Sequence, residues 1–495
     1  MTDPRTMTPR WPTPQLLIGG ASVSAREGGR LALCNPATGE QLPDAPAAGP
    51  ADVDAAVRAA REAFDAGPWP RMNASARGRL LRKLADALWE RREEFALVES
   101  LNNGKTFREA LSGDVAPGAA TLAYAAEWAN KVLGEVVPVD GPFLTYVVRE
   151  PVGVVAAIVP WNYPTSLACW KLGPALATGC TVVLKPSELT PYTAMKLGEL
   201  AREVGIPDGV LNVLAGEGEP AGEALARHPG VDKVAFTGSV RTARRLLHAS
   251  ADSNLKRLSL ELGGKSPQIV LADADFAAAA EACFWGIFGC KGEVCSAGSR
   301  VLVVAEAYEG FVARLVERAR RLRVGDPLDP ATEMGAQISA RQLDTILGYI
   351  ASGKTQGARL LAGGARDVAG TKAKGNFLQP TVFGDVRGGM RIAEEEIFGP
   401  VLACMRVADV DEAIRVANAT RYGLGAGVWT RDVARGHALA RQLRAGVVWI
   451  NCFNEFDDAA PFGGVKESGW GRDLSHHALD NYLQAKTVWT RLPGA

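Results

Sequence analysis

The chain has 495 residues, more than one hydrophobic core usually serves, so two or three domains are expected. Apolar residues make up 47% and charged residues 22%, an ordinary globular balance. Lys+Arg and Asp+Glu number 55 each, so no net field favours nucleic acid or an anionic membrane surface. In chain order, the opening "MTDPRTMTPRWPTPQ" lacks the apolar core of a signal peptide, and no run approaches the ~20 apolar residues of a membrane span. Eight scattered cysteines without a CxxC pair, and five histidines without metal-ligand spacing, argue against a disulfide framework or a metal site. A cytoplasmic protein with no membrane and no nucleic-acid partner is expected. Helical periodicity runs through Val53, Val57, Ala60 and Phe64, and through Leu80, Leu81, Leu84 and Leu88. An alternating strand follows in "VDGPFLTYVVREP" (139–151).

From residue 152 the pattern becomes "VGVVAAIVP", a helix past Trp170, "TVVLKP", a helix near 192–204, "GVLNVLAG", a helix from 221, "DKVAFTGS", a helix from 240, and "KRLSLELGG". Apolar strands without polar alternation, separated by helices, predict a parallel sheet buried on both faces. A second αβ series runs from 275 to about 450, and "AKTVWTRL" (485–492) is a lone alternating strand.

Ligands of such sheets collect beyond the carboxyl ends of the strands. Gly216-x-Gly218-x-x-x-Gly222 lies there, as a phosphate loop with one residue too many or as a tight turn. Gly238 and Ser239 precede a helix whose N-terminal amides could meet a pyrophosphate. Lys185 and Glu188 follow another strand, as ribose ligands or as a solvated turn pair; a carboxylate there suits a ribose diol and repels a 2′-phosphate. With "IVPWNYP" after the first of these strands, four such loops point to a nucleotide site. "GEVCSAGSR" adds a cysteine, Cys295, in a polar turn ahead of an apolar run rather than within it, as a nucleophile or as an idle loop thiol.

"VPWNYP", "KPSELTP", "FTGS", "LELGGKSP", "GEVCSAGSR", "EEIFGPV" and "PFGGVKESGWGRD", in this order, resemble the signatures of the NAD(P)-dependent aldehyde dehydrogenase superfamily. The resemblance covers residues 17–492, and Asn162 to Glu261 (99 residues) and Glu261 to Cys295 (34 residues) are spaced as in that family. It implies an α/β fold with three parts. A Rossmann-type dinucleotide-binding domain spans 1–130 and 152–261, an αβ catalytic domain spans 262–465, and strands at 131–151 and 480–495 form a small oligomerisation sheet. Unpaired strand edges need a cover, so a homo-oligomer, dimer or tetramer, is expected.

Oxidising an aldehyde by hydride transfer is hard from the bare carbonyl. A thiolate adds first to give a thiohemiacetal, whose collapse releases hydride, and the thioester is then hydrolysed. The resemblance makes Cys295 the nucleophile, Glu261 the general base, and the Asn162 amide with the Cys295 amide the oxyanion hole. Lys171 matches a lysine that some relatives use to relay a proton; the alternative is a helix-surface charge. The cofactor the resemblance implies is NAD, with weaker use of NADP. Its site would be built from Val159, Trp161, Lys185, Ser187, Glu188, Gly218, Gly238, Ser239, Leu262, Glu396 and Phe398.

Three positions depart from the family. Glu293 replaces the usual Gln and would raise the thiol pKa or face solvent. Asp473 replaces a Glu, one methylene shorter, which puts a relay role in question. Ala243 replaces a Gly near the pyrophosphate. Cys290, close to Cys295, reads either as a redox partner or as an inert thiol. Tyr163, Trp170, Phe456 and Phe462 are expected to wall the substrate tunnel. With Glu455, Asp457 and Asp458 nearby, this leans toward an ω-aminoaldehyde or betaine aldehyde, the alternative being a broad-specificity aliphatic or aromatic aldehyde dehydrogenase. A cofactor-independent cysteine hydrolase or a silent structural oligomer would not need Cys295, Glu261, Asn162 and four nucleotide loops together.

Overall fold

The computed structural model describes residues 3–493; the termini at 1–2 and 494–495 of the expected first domain and last strand lie outside the described residues. Two large sheets carry the architecture. The first has eight strands in the spatial order 469–470, 257–261, 233–237, 154–158, 181–185, 211–213, 16–18 and 21–23. Its five central strands are parallel, and they pair in the order third, second, first, fourth, fifth. The order reverses between Val154–Ile158 and Lys233–Thr237, and a ligand crevice is expected beyond the carboxyl ends at such a reversal. Every residue of Val154–Ile158, Thr181–Lys185 and Lys233–Thr237 is buried, as strands covered by helices on both faces must be.

The helix Pro164–Thr178 connects the first two of these strands. Pro164 opens it, where a missing amide costs nothing, and Gly179 closes it at φ +99°. Fourteen of its fifteen residues are buried, so Lys171 points into protein rather than solvent.

The second sheet has seven strands in the order 359–362, 381–384, 401–407, 300–304, 267–270, 425–429 and 447–450, all parallel except the antiparallel edge strand Arg359–Ala362. The chain crosses between the sheets in the short link from Glu261 to Pro267. The carboxyl ends of the first sheet therefore meet the amino ends of the second. Two buried clusters of apolar side chains match this division, with Leu262 in the first and Ile269 in the second.

The two lone alternating strands find each other. Phe143–Pro151 pairs antiparallel with Leu483–Arg491 over nine residues, and Glu135–Val137 adds a third strand. Val136, Leu144 and Trp489 on these strands are exposed, as is Leu133 just before the first of them. No helix among the described residues is long and apolar enough to cross a membrane.

Candidate active site

Glu261 ends its strand at the seam between the sheets. It is buried, and neither carboxylate oxygen has a hydrogen-bond partner. Burial, then the nearby Asp473 carboxylate, holds its pKa well above the usual carboxylate range, against Lys171 and Arg472. A Cβ at Gly463 would lie 2.6 Å from Glu261 Oε1, so a side chain there would close the space beside the carboxylate.

The two glycines after Glu261 have steric reasons. A Cβ at Gly263 would stand 2.0 Å from the Glu396 carboxylate, and one at Gly264 would stand 2.5 Å from the Cys295 carbonyl oxygen. The Gly264 amide donates to Glu396 Oε1 at 3.0 Å. Glu396, from the loop before Val401–Val407, is pushed up to about 7 by burial. "LELGG" thus brings Glu261, Glu396 and Cys295 into one narrow place.

Cys295 is partly exposed and packs against Leu424, Phe462 and Leu474, with Trp170 alongside. Burial, then the Glu396 and Glu261 carboxylates, pushes its thiol up to about 12. Asn162 is buried, and its side-chain amide donates to the Glu293 carbonyl at 2.9 Å. One N–H is thereby committed, and the second can serve an oxyanion beside Cys295.

Lys171 is fully buried and ion-paired with Asp473, so the surface-charge alternative does not hold. The shorter Asp473 side chain still reaches the ammonium. Glu293 neither faces solvent nor ranks among the groups that shift the Cys295 thiol. It is fully buried and pairs with Lys291 Nζ at 2.8 Å, while its other oxygen accepts the Ile338 amide at 3.0 Å. The Lys291–Glu293 pair is invisible to a motif reading that treats Glu293 as a lone departure; the i, i+2 charge pair around Gly292 was its only signal. Ala243 is buried on the packed side of the helix Val240–Ala251. Cys290 is buried, its amide donating to Glu109 Oε1 at 2.7 Å.

Most cofactor candidates follow the carboxyl ends of the first sheet's parallel strands, while Glu396 and Phe398 come from the loop before Val401–Val407 of the second. The Val159 amide donates to the Lys185 carbonyl, and the Leu262 amide to the Ser468 carbonyl. Trp161 meets Phe398 edge-on at 5.2 Å. Lys185 is buried, donates to the Pro186 carbonyl at 3.1 Å, and falls to about 8 through burial against the pull of Glu188 and Glu217. The Ser187 hydroxyl donates to Glu188, which is half-buried beside it. Ser239 is exposed and caps the helix Val240–Ala251, accepting the Thr242 amide. Gly218 opens a single π-turn, Gly218–Gly222, and not a regular helix N-terminus. A Cβ at Gly222 would touch the Lys185 side chain at 3.5 Å.

Rings continue outward from Cys295. Trp170 meets Phe462 at 5.5 Å, Phe462 meets Phe456 at 5.3 Å, and Phe456 meets Trp449 at 6.0 Å. Trp449 was not foreseen, since it lies inside a strand. Tyr163, expected in this wall, instead lays its ring over Lys105 Nζ at 4.4 Å. Tyr124, Trp128, Trp170 and Asp458 line a narrow recess, where Asp458 accepts the Thr121 hydroxyl at 2.6 Å. Glu455 and Asp457 are exposed on the rim.

The aldehyde dehydrogenase family model matches residues 23–488. Retinal dehydrogenase 2 of Rattus norvegicus is 47% identical over 490 residues, covering 97% of this chain and 94% of the relative. The crystal structure of the aldehyde dehydrogenase KauB from Pseudomonas aeruginosa superposes with a TM-score of 0.95 at 46% identity, covering 97% of each chain. That of an indole-3-acetaldehyde dehydrogenase in complex with NAD+ gives 0.96 at 46% identity, covering 99% of this chain and 98% of that one. Matched over nearly its whole length in sequence and in fold, the chain belongs to the aldehyde dehydrogenase family.

Proposed function

We propose that the protein oxidises an aldehyde to the carboxylic acid with NAD, Cys295 acting as the nucleophile. The carrying observation is the convergence of Cys295, the unpartnered Glu261 carboxylate and the Asn162 amide at one seam. The residues at the reversal point fit a dinucleotide. Glu188 offers a half-buried carboxylate to a ribose diol, Ser239 and the amides behind it offer donors to a pyrophosphate, and Glu396 stands within electrostatic reach of Cys295. Solved relatives carry NAD+. NAD held there would supply the hydride acceptor.

Glu261 takes the thiol proton, directly or through water, because a thiol held at about 12 is not ionised at neutral pH without a base. The sulfur adds to the carbonyl carbon, and the Asn162 N–H and the Cys295 amide receive the oxyanion. Loss of hydride leaves a thioester on Cys295. Glu261 then takes a proton from water, the hydroxide attacks the thioester, and the acid departs as the thiol is restored. Lys171 and Asp473, whose charges act on Glu261, are proposed to pass its proton onward.

For substrate, we propose an aldehyde with an ammonium group at its far end, an ω-aminoaldehyde or betaine aldehyde. Tyr124, Trp128 and Trp170 around the half-buried Asp458 offer ring faces and a carboxylate to such a cation. The unbroken ring contacts of Trp170, Phe462, Phe456 and Trp449 favour a second reading, a broad range of uncharged apolar aldehydes. The test is kcat/KM for betaine aldehyde, aminobutyraldehyde, a medium alkanal and benzaldehyde, with NAD and NADP. Preference for the two cations, lost in Asp458→Asn, supports the first reading; a preference for the alkanal or benzaldehyde supports the second. A homo-oligomer assembled through the exposed three-stranded sheet completes the proposal.

A further inference from the structure

The segment that leads to Cys295 is bent against its preference. Cys290 and Lys291 both lie in the left-handed region, at φ +45° and +60°, where non-glycine residues are held only by their surroundings. A Cβ at Gly292 would stand 2.3 Å from Gly399, so the segment is also pressed against the loop carrying Phe398.

What holds it is a closed ring of polar contacts. Lys291 Nζ contacts Glu293 Oε2 at 2.8 Å and donates to Asn103 Oδ1 at 2.7 Å and to the Asn103 carbonyl at 2.9 Å. Asn103 Nδ2 donates to the Trp161 carbonyl at 2.8 Å. The next residue, Asn162, donates its amide back to the Glu293 carbonyl at 2.9 Å. Glu293 Oε1 accepts the Ile338 amide from the second sheet's side. Both charged side chains are wholly buried, and Glu293 Oε2 rests on its ion pair with Lys291 without an aligned hydrogen bond, so losing either charge strands the other.

We propose that the Lys291–Glu293 pair positions the Asn162 amide over the thiol, making Glu293 and Lys291 positioning residues for addition to the carbonyl. The proposal rests on Asn162 being the oxyanion donor. The pair fastens the backbone whose carbonyl receives Asn162, and through Asn103 it fastens the backbone that carries Asn162. Neither charged group touches the reacting atoms; each acts by fixing where the second Asn162 N–H points.

The experiment is a double-mutant cycle on kcat with a fixed aldehyde and saturating NAD, with NAD affinity and the unfolding midpoint measured for every variant. Glu293→Gln keeps an acceptor for the Ile338 amide but removes the charge that faces Lys291. It is expected to lower kcat at least tenfold while leaving NAD affinity within twofold. Glu293→Gln with Lys291→Gln removes both charges and should recover kcat to within about threefold of wild type; this neutral pair keeps the test open if the single variant folds poorly. In an Asn162→Ala background, Glu293→Gln should change kcat by less than twofold, because its effect has no remaining target. Equal losses with and without Asn162, or no loss on Glu293→Gln, overturn the proposal. If Asn162→Ala itself leaves kcat unchanged, the oxyanion assignment falls, and the positioning role falls with it.

Discussion

Lys171 and Asp473, 302 residues apart in sequence, form an ion pair in which neither side chain is more than 2% exposed. Lys171 comes from the helix after "VPWNYP" and Asp473 from the C-terminal segment that also places Gly463 against Glu261. The pair therefore ties the end of the chain to the base of the site. Removing one partner strands the other as a buried charge. Lys171→Met is expected to lower stability by about 3–5 kcal/mol, and Lys171→Met with Asp473→Asn should restore most of it, as read by chemical denaturation. Equal losses in the single and double variants would show that the pair is not what is being broken.

Cys295→Ala should abolish dehydrogenase and esterase turnover while NAD binding persists, as seen by quenching of tryptophan fluorescence. Alkylation should inactivate the wild type in step with label on Cys295. Cys34 is exposed on its strand and should also take label, without effect on activity. Substantial turnover in the alanine variant would sink the nucleophile assignment.

Glu261 works as a base only when ionised, and its pKa is raised. The acyl-enzyme hydrolysis rate should therefore still be rising with pH where an ordinary carboxylate, fully ionised, has already levelled off. Glu261→Gln should flatten that rise and slow hydrolysis by about a hundredfold or more. Single-turnover kinetics with a pH series gives both readings, and an unchanged profile in the variant would remove Glu261 from the role.

Glu396 titrates near 7 in the folded protein rather than near 4.5. A raised carboxylate pKa means the folded state holds the proton longer than the unfolded chain. Its contribution is full below about pH 4.5 and is lost as pH rises through 7. Glu396→Gln, which cannot ionise, should remove the part of the stability decline between pH 5 and 8 that this group causes. Unfolding midpoints at those two pH values check it: the gap between them should narrow in the variant.

Glu188 should set the cofactor preference. Placing the 2′-phosphate of NADP against this carboxylate costs on the order of 1–3 kcal/mol, about ten- to a hundredfold in affinity. Lys185, drawn toward both Glu188 and Glu217, offsets part of it. Glu188→Gln should narrow the NAD-to-NADP ratio mainly through the cofactor KM. A ratio that does not move would clear Glu188 of the role.

Much of this protein could be read from its sequence, because much of it is set locally. Apolar runs without alternation required strands covered on both faces, and the alternating "FLTYVVREP" and "AKTVWTRL" could not join those sheets. The polar turn "GEVCSAGSR", with its cysteine ahead of the apolar run instead of inside it, marked Cys295 as a thiol placed for contact. The side-chain partners were decided only in three dimensions. Nothing in the order of residues says that Asp473 lies against Lys171, that Glu293 turns inward to Lys291 instead of toward solvent, or that Tyr163 covers Lys105. Those contacts join segments brought together by the sheets, and the low polarity inside requires a buried charge to find its opposite wherever the fold has placed it.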